Sequence, residues 1–342
     1  MRLNYIIVVF FLIGIIACGK EMMEASFTGF QTPANFPQPL YHFSTNPITK
    51  NGFELGRKLF YDPILSRDGT ISCGSCHIQT SAFTQHGHSV SHGINDRLGT
   101  RNAPPIMNMA WYNSFMWDGG VFDLDLQPIA PVTNHVEMDE TMENVLNKLQ
   151  QSSVYPSLFK KTYGSDEITT AGMLKALSQF MLMCVSSNSK YDSIMRKEGK
   201  SFTVEEQKGY ELFKQKCADC HKEPLFTDNS FRNNGIGIGI TDDKGRRLIT
   251  LNDSDSYKFK VPSLRNLAYT APYMHDGRFF TIDAVLDHYV NHVKDEPGLD
   301  PLLYQHDKPG IIISDDERKS LVAFLATLND PSFLKDKKLS EQ

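Results

Sequence analysis

Two pentapeptides combine the residue types that can hold iron: Cys73-Gly-Ser-Cys76-His77 and Cys217-Ala-Asp-Cys220-His221. One chemistry uses every part of that spacing. Two thiols three positions apart add to the two vinyl groups of one porphyrin, and the histidine that follows reaches the iron as proximal ligand. A zinc site would use the paired cysteines but leave the histidine after each pair unexplained. A redox dithiol would sit at a helix start in a βαβ setting, and none is evident. The chain therefore reads as a carrier of two covalent haem c groups. Cys73 and Cys76 hold one, Cys217 and Cys220 the other, and His77 and His221 ligate the irons. Of the six cysteines, Cys184 lies in an apolar, helical-looking stretch and reads as a buried inert thiol.

The elements that position these groups repeat. Gly56-Arg-Lys-Leu-Phe60 precedes the first motif and Gly209-Tyr-Glu-Leu-Phe213 the second; Ala82-Phe83-Thr84 and Leu225-Phe226-Thr227 follow them. Each half reads as helix, haem motif, then an irregular loop around the haem. Helical patterning also covers 138–150, 169–186, 204–216, 282–293 and 315–328, with Asp139 and Thr203 as N-caps. Gly235-Ile-Gly-Ile-Gly-Ile240 alternates but is half glycine and reads as a loop or short ribbon. The fold class is mainly α, with two cytochrome c-like domains, each binding one haem c, over 46–190 and 200–335, joined near 187–203.

Composition sets the context. Of 342 residues, 40% are hydrophobic and 22% charged, which suits packed domains. A net charge of -5 lacks the basic excess of a nucleic-acid binder and leaves docking to a basic partner open. Residues 1–17 read as a signal peptide: Arg2, an apolar run over 5–17, then Ile15-Ile16-Ala17-Cys18, which resembles a lipobox. Cys18 would be the acylated first residue, 18–45 a tether, and the lipid the only membrane attachment. The protein is expected in the periplasm.

In chain order, several further motifs make the sequence resemble the bacterial dihaem cytochrome c peroxidases and MauG. They are Arg101-Asn-Ala-Pro104, Trp117-Asp-Gly119, Gln127, Pro131, Glu137-Met138, Val261-Pro-Ser-Leu-Arg-Asn266 and Thr270-Ala-Pro-Tyr-Met-His-Asp-Gly277. The resemblance spans about residues 52–328. It implies that the His77 haem is the peroxide site, with Gln127, Pro131 and Glu137 in its distal pocket. The His221 haem would transfer electrons, and Trp117 would relay charge between the two. It also implies a calcium ion, held by the Asn102 side chain and the Thr270 and Pro272 carbonyls, an oxygen set that suits a hard cation. For Glu137, peroxide chemistry independently requires a group that moves a proton from one oxygen to the other. The bland alternative is a cap on a helix starting near Asp139.

Two ligand questions remain at this level. Met274 is one candidate sixth ligand for the C-terminal iron; by family register, Tyr289 is the other and the preferred one. His86, His88 and His92 lie in the loop where some relatives place a distal histidine; they read as surface residues and are assigned no iron. The leading functional reading is a peroxidase that reduces hydrogen peroxide with electrons from a small cytochrome c or cupredoxin, entering at the C-terminal haem. A second is a peroxide-dependent oxidase that modifies a partner protein, which Tyr289 favours. A third, of a different class, is a non-catalytic electron carrier, against which Gln127 and Glu137 count. The oligomeric state is open, a homodimer included.

Overall fold

A computed structural model describes residues 27–239 and 241–342. The signal segment and Cys18 lie outside the described residues. Among the described residues, helix accounts for 39% and strand, isolated bridges included, for 6%, so the class is mainly α. No described helix is long and apolar enough to cross a membrane.

In chain order the helices are α1 Lys50–Tyr61, α2 Cys73–Cys76, α3 Ile129–Thr133, α4 Met142–Gln151, α5 Tyr155–Tyr163, α6 Thr170–Met183, α7 Lys190–Met195 and α8 Val204–Lys216, then α9 Arg247–Thr250, α10 Ile282–Asp287 and α11 Asp315–Ala326. Strands are two residues long: β1 Phe231–Arg232 pairs antiparallel with β2 Phe259–Lys260, and β3 Tyr304–Gln305 with β4 Lys308–Pro309. Residues 235–239 are loop, because their glycines leave little side chain to pack on a sheet.

Two helix pairs repeat one packing solution. In α1 against α6, a Cβ on Gly56 would lie 1.8 Å from the Ala176 carbonyl oxygen; in α8 against α11, one on Gly209 would lie 1.9 Å from that of Ser320. Only glycine permits such close backbones. Each crossing brings aromatic rings together: Phe60 and Phe180 lie 4.7 Å apart, Phe213 and Phe324 5.1 Å. Phe83 and Phe226, from the haem loops, complete the two clusters and are fully buried.

Several boundaries differ from the sequence expectation. The helix expected from 138 begins at Met142, capped by Thr141 rather than Asp139. Asp139 has a left-handed backbone (φ 50°), and its carboxylate is held by Arg67 and Arg97 at 2.5 and 3.2 Å. The stretch from 282 is α-helical only to Asp287 and then widens into a π turn, His288–His292. Residues 32–45, expected as tether, are packed in place. Phe36 meets Trp111 edge-on at 5.0 Å, and Trp111 Nε1 donates to the Pro37 carbonyl. The junction near 187–203 is itself anchored: Asp192 in α7 forms a fully buried ion pair with Arg265, at 2.8 and 2.9 Å. That partner holds the Asp192 carboxyl below its usual range, although burial opposes it.

A Gly209→Ala substitution must push α8 off α11. Overpacking of this kind costs about 1–3 kcal/mol, roughly 2–4 °C of Tm per kcal/mol in a chain of this size. Thermal melts of the holoprotein should fall accordingly; an unchanged Tm would show that the crossing tolerates a methyl group.

Candidate haem centres

The two haem motifs sit in matching cradles. Cys73–Cys76 forms a single helical turn with Ser72 and Ser75 in a capping box, and the second motif follows directly from the end of α8. His77 Nδ1 lies 2.8 Å from the Phe83 carbonyl; His221 Nδ1 lies 3.1 Å from the carbonyls of Phe226 and Pro262. A carbonyl only accepts, so each Nδ1 must carry the proton. Nε2 is then a bare lone pair, the form that ligates iron. Desolvation lowers both histidines below their ordinary value and keeps the rings neutral.

The carbonyls reach those positions because Phe83 and Phe226 have left-handed backbones, φ 60° and 57°. The following threonines fasten the loops to a second segment: Thr84 donates to the Ala103 carbonyl and Thr227 to that of Val261 at 2.6 Å. Pro104 and Pro262 come next in the chain. Among the described residues, Gln85 Oε1 and Asn229 Oδ1 are buried without a hydrogen-bond partner. Each follows a Phe-Thr pair by one or two positions, so an unmet polar atom borders each cradle. Paired thiols, a neutral imidazole and such unmet atoms fit a haem c in each half.

Around the first cradle, Glu137 is not a helix cap. It precedes α4, and Asn134 Nδ2 donates to its Oε1 at 2.6 Å. Desolvation pushes its carboxyl up, with Asn134 opposing. The same carboxylate acts electrostatically on Cys73 and Cys76, which places it on this motif. Gly93 backs it: a Cβ there would lie 2.1 Å from the Val136 carbonyl oxygen. Gln127 Nε2 points at Met116 Sδ, 3.8 Å away, and the Pro131 carbonyl accepts from Met138 N at 3.3 Å. Of the loop histidines, His92 pairs with Asp96 at 2.5 Å, His86 bonds Ser81 at 2.9 Å, and His88 stacks edge-on against His92 at 4.8 Å.

Trp117 lies at the seam of the two halves, fixed at both polar ends. Its Nε1 donates to the Asn102 carbonyl at 2.8 Å, and its own carbonyl accepts from Lys260 N at 2.7 Å. Asn102 N in turn donates to the His275 carbonyl at 2.7 Å. Trp117 and His275 occupy equivalent places in the repeat. Each follows a methionine with positive φ, and each is framed by a β-bridge, Phe115 with Val121 and Tyr273 with Phe279. His275 stacks on Phe259 at 3.7 Å, and burial pushes it down to about 4.

Sequence reasoning missed Lys260, Asn134 and Asn234, and gave Arg101 no role beyond its motif. Lys260 Nζ bonds the Ser114 carbonyl and lies 4.1 Å from the Tyr112 ring centre, and desolvation pushes it down to about 7. Arg101 ties Asp118 at 2.5 Å to Asp243 at 2.6 and 2.9 Å. Asn134 stands three positions before Glu137, a spacing that could have found it.

Around the second cradle, Tyr289 lies in the π turn, within electrostatic reach of Cys217 and Cys220. Desolvation raises its phenol, and a hydrogen bond from Asn234 opposes this. Asn234 Nδ2 also contacts Met274 Sδ at 3.5 Å. The structure thus brings both sixth-ligand candidates to one amide. Asn102 Nδ2 donates to the Ser89 carbonyl at 3.0 Å, leaving Oδ1 as the atom it can offer a cation.

Residues 50–200 match the family described as di-haem cytochrome c peroxidase, and residues 206–329 match cytochrome c. Methylamine utilization protein MauG of Methylorubrum extorquens is 34% identical over 302 residues, covering 87% of this chain and 83% of that protein. Cytochrome c551 peroxidase of Nitrosomonas europaea is 33% identical over 307 residues, covering 88% and 86%. A solved MauG-like protein associated with microbial copper homeostasis superposes with a TM-score of 0.82 at 30% identity, covering 92% of this chain and 99% of that one. The chain belongs to the di-haem cytochrome c peroxidase and MauG family, oxidoreductases built on cytochrome c-type haem domains.

Proposed function

We propose that the N-terminal half reduces hydrogen peroxide to water, with electrons delivered through the C-terminal half by a small cytochrome c or cupredoxin. The observation that carries this reading is Glu137: desolvated, oriented by Asn134, and facing the first haem motif. Bound haem supplies the electrons that divide the O–O bond. Glu137 takes a proton from one peroxide oxygen and returns it to the other, and its raised carboxyl suits both steps. Asn134 fixes which carboxylate oxygen is free. Gln127 and Pro131 restrict the space beside it. Trp117, clamped between Asn102 and Lys260, gives electrons an oxidisable stop between the halves. A simple electron carrier has no use for Glu137.

Tyr289 supports a second reading, oxidation of a partner protein. An anionic oxygen on the C-terminal iron would stabilise oxidised states more than a thioether does. A calcium ion on Asn102 Oδ1 and the Thr270 and Pro272 carbonyls would brace the seam where Asn102 meets His275 and Trp117. We read the protein as periplasmic and acylated at Cys18, with its oligomeric state open, a homodimer included. A Cys18→Ser variant should leave the membrane fraction with its haem content unchanged; persistence with membranes would reject the anchor.

Glu137→Gln should leave the haem spectra nearly intact and slow peroxide turnover by about 10²- to 10⁴-fold. The proton acceptor is the carboxylate, so turnover falls as pH drops through its pKa. Because burial raises that value, the fall should begin above the range of an exposed glutamate, about 4.3. Wild-type rates in Glu137→Gln would remove Glu137 from the chemistry.

Tyr289→Phe should change the spectrum of one haem only, while Met274→Leu changes neither. A near-infrared methionine–ferric band in the wild type, lost in Met274→Leu, would reverse the assignment.

A further inference from the structure

Two tyrosines beside the C-terminal cradle share one carboxylate, and nothing in the peroxide chemistry above uses them. Tyr191 in α7 donates to Glu223 Oε1 at 2.5 Å, and Tyr210 in α8 donates to the same oxygen at 3.0 Å. The two rings are 6.4 Å apart. Tyr191 is buried and its ring meets Phe226 edge-on at 4.9 Å. Phe226 is the residue whose carbonyl fixes His221. Tyr210 is only half-buried, with Lys214 Nζ 4.6 Å from its ring centre. Phenol, carboxylate and phenol thus form a continuous line from Phe226, beside His221, to the surface.

We propose that Tyr191, Glu223 and Tyr210 form a proton-coupled relay that carries an oxidising equivalent from the C-terminal haem to Tyr210, where small phenolic hydrogen-atom donors are oxidised. The relay rests on the peroxide reading, which supplies the oxidant. Tyr191 gives one electron to the oxidised haem while its hydroxyl proton moves to Glu223, leaving a neutral phenoxyl. Tyr210 then gives one electron to Tyr191, Glu223 returns the proton to Tyr191, and the Tyr210 proton passes to Glu223. An external phenol restores Tyr210 by donating one electron and one proton, and Glu223 releases its proton to solvent. Burial and the Glu223 carboxylate both raise the two phenols, so neither ionises first and electron and proton leave together. Arg265 is the cation that acts on Tyr191 from the Val261-Pro-Ser-Leu-Arg segment, and it is already neutralised by Asp192.

The test uses the holoprotein with peroxide, no electron donor, and a nitroso spin trap, with adducts located by peptide mass spectrometry. The expected adduct is on Tyr210. It should disappear in Tyr210→Phe and fall to background in Tyr191→Phe. In Glu223→Gln its initial rate should fall by about 10²-fold, the usual size for loss of a proton acceptor, with partial recovery in Glu223→Asp. These variants keep the rings and the amide shape, and thermal melts with resting haem spectra check that each is folded. If one variant fails to fold, the other three still decide the result. An oxidised haem spectrum with no Tyr210 adduct, or with an adduct indifferent to Tyr191 and Glu223, overturns the relay alone. A haem spectrum unmoved by peroxide overturns the peroxide reading, and the relay with it for want of an oxidant.

Discussion

One hydrogen bond, made twice, organises the molecule: imidazole Nδ1–H to a phenylalanine carbonyl. It fixes the tautomer and aims Nε2, while desolvation keeps the ring neutral. The carbonyl points the required way only because Phe83 and Phe226 take positive φ, at a cost of roughly 1–2 kcal/mol each. Full burial of each ring offsets that, since a buried phenylalanine contributes about 1.5–3 kcal/mol. The aromatic cluster under each glycine crossing is therefore what holds the histidines in place.

The seam between the halves follows from the same repeat. Trp117 and His275 are matching residues of the two halves, brought together across Asn102. Arg101, Asp118 and Asp243 form a half-buried charge network there, with carboxylates on both sides of one guanidinium. Isolated surface pairs contribute little; a bidentate arginine shared between two carboxylates positions groups as well as attracting them. Among the described residues Lys260 has no carboxylate partner, and its ammonium rests on a carbonyl and an aromatic face. The seam carries Trp117 on rigid supports, the fixity that the relay role proposed above would require.

Much of this was legible in the sequence because it is local. The haem pentapeptides, the Gly-to-Phe helices and the Phe-Thr loops each span a few residues, and the α8 cap at Thr203 falls where its capping box predicts. What could not be read depends on distant partners. Asp139 looked like a cap, but Arg67 and Arg97 hold it in another role. The π turn at Tyr289 breaks a helical pattern without any glycine or proline to announce it. Arg101 and Asp243 are 142 positions apart, and Tyr191 and Glu223 32. The packed stretch around Phe36 read as tether because its partner, Trp111, lies far along the chain.

The central claim is that both cradles hold covalent haem through residues read from two pentapeptides. Intact mass of the purified chain, followed by peptide mapping, tests it most directly. The account predicts two haem additions, one on the peptide with Cys73 and Cys76 and one on that with Cys217 and Cys220. A single addition, or free alkylatable thiols at either pair, would contradict it.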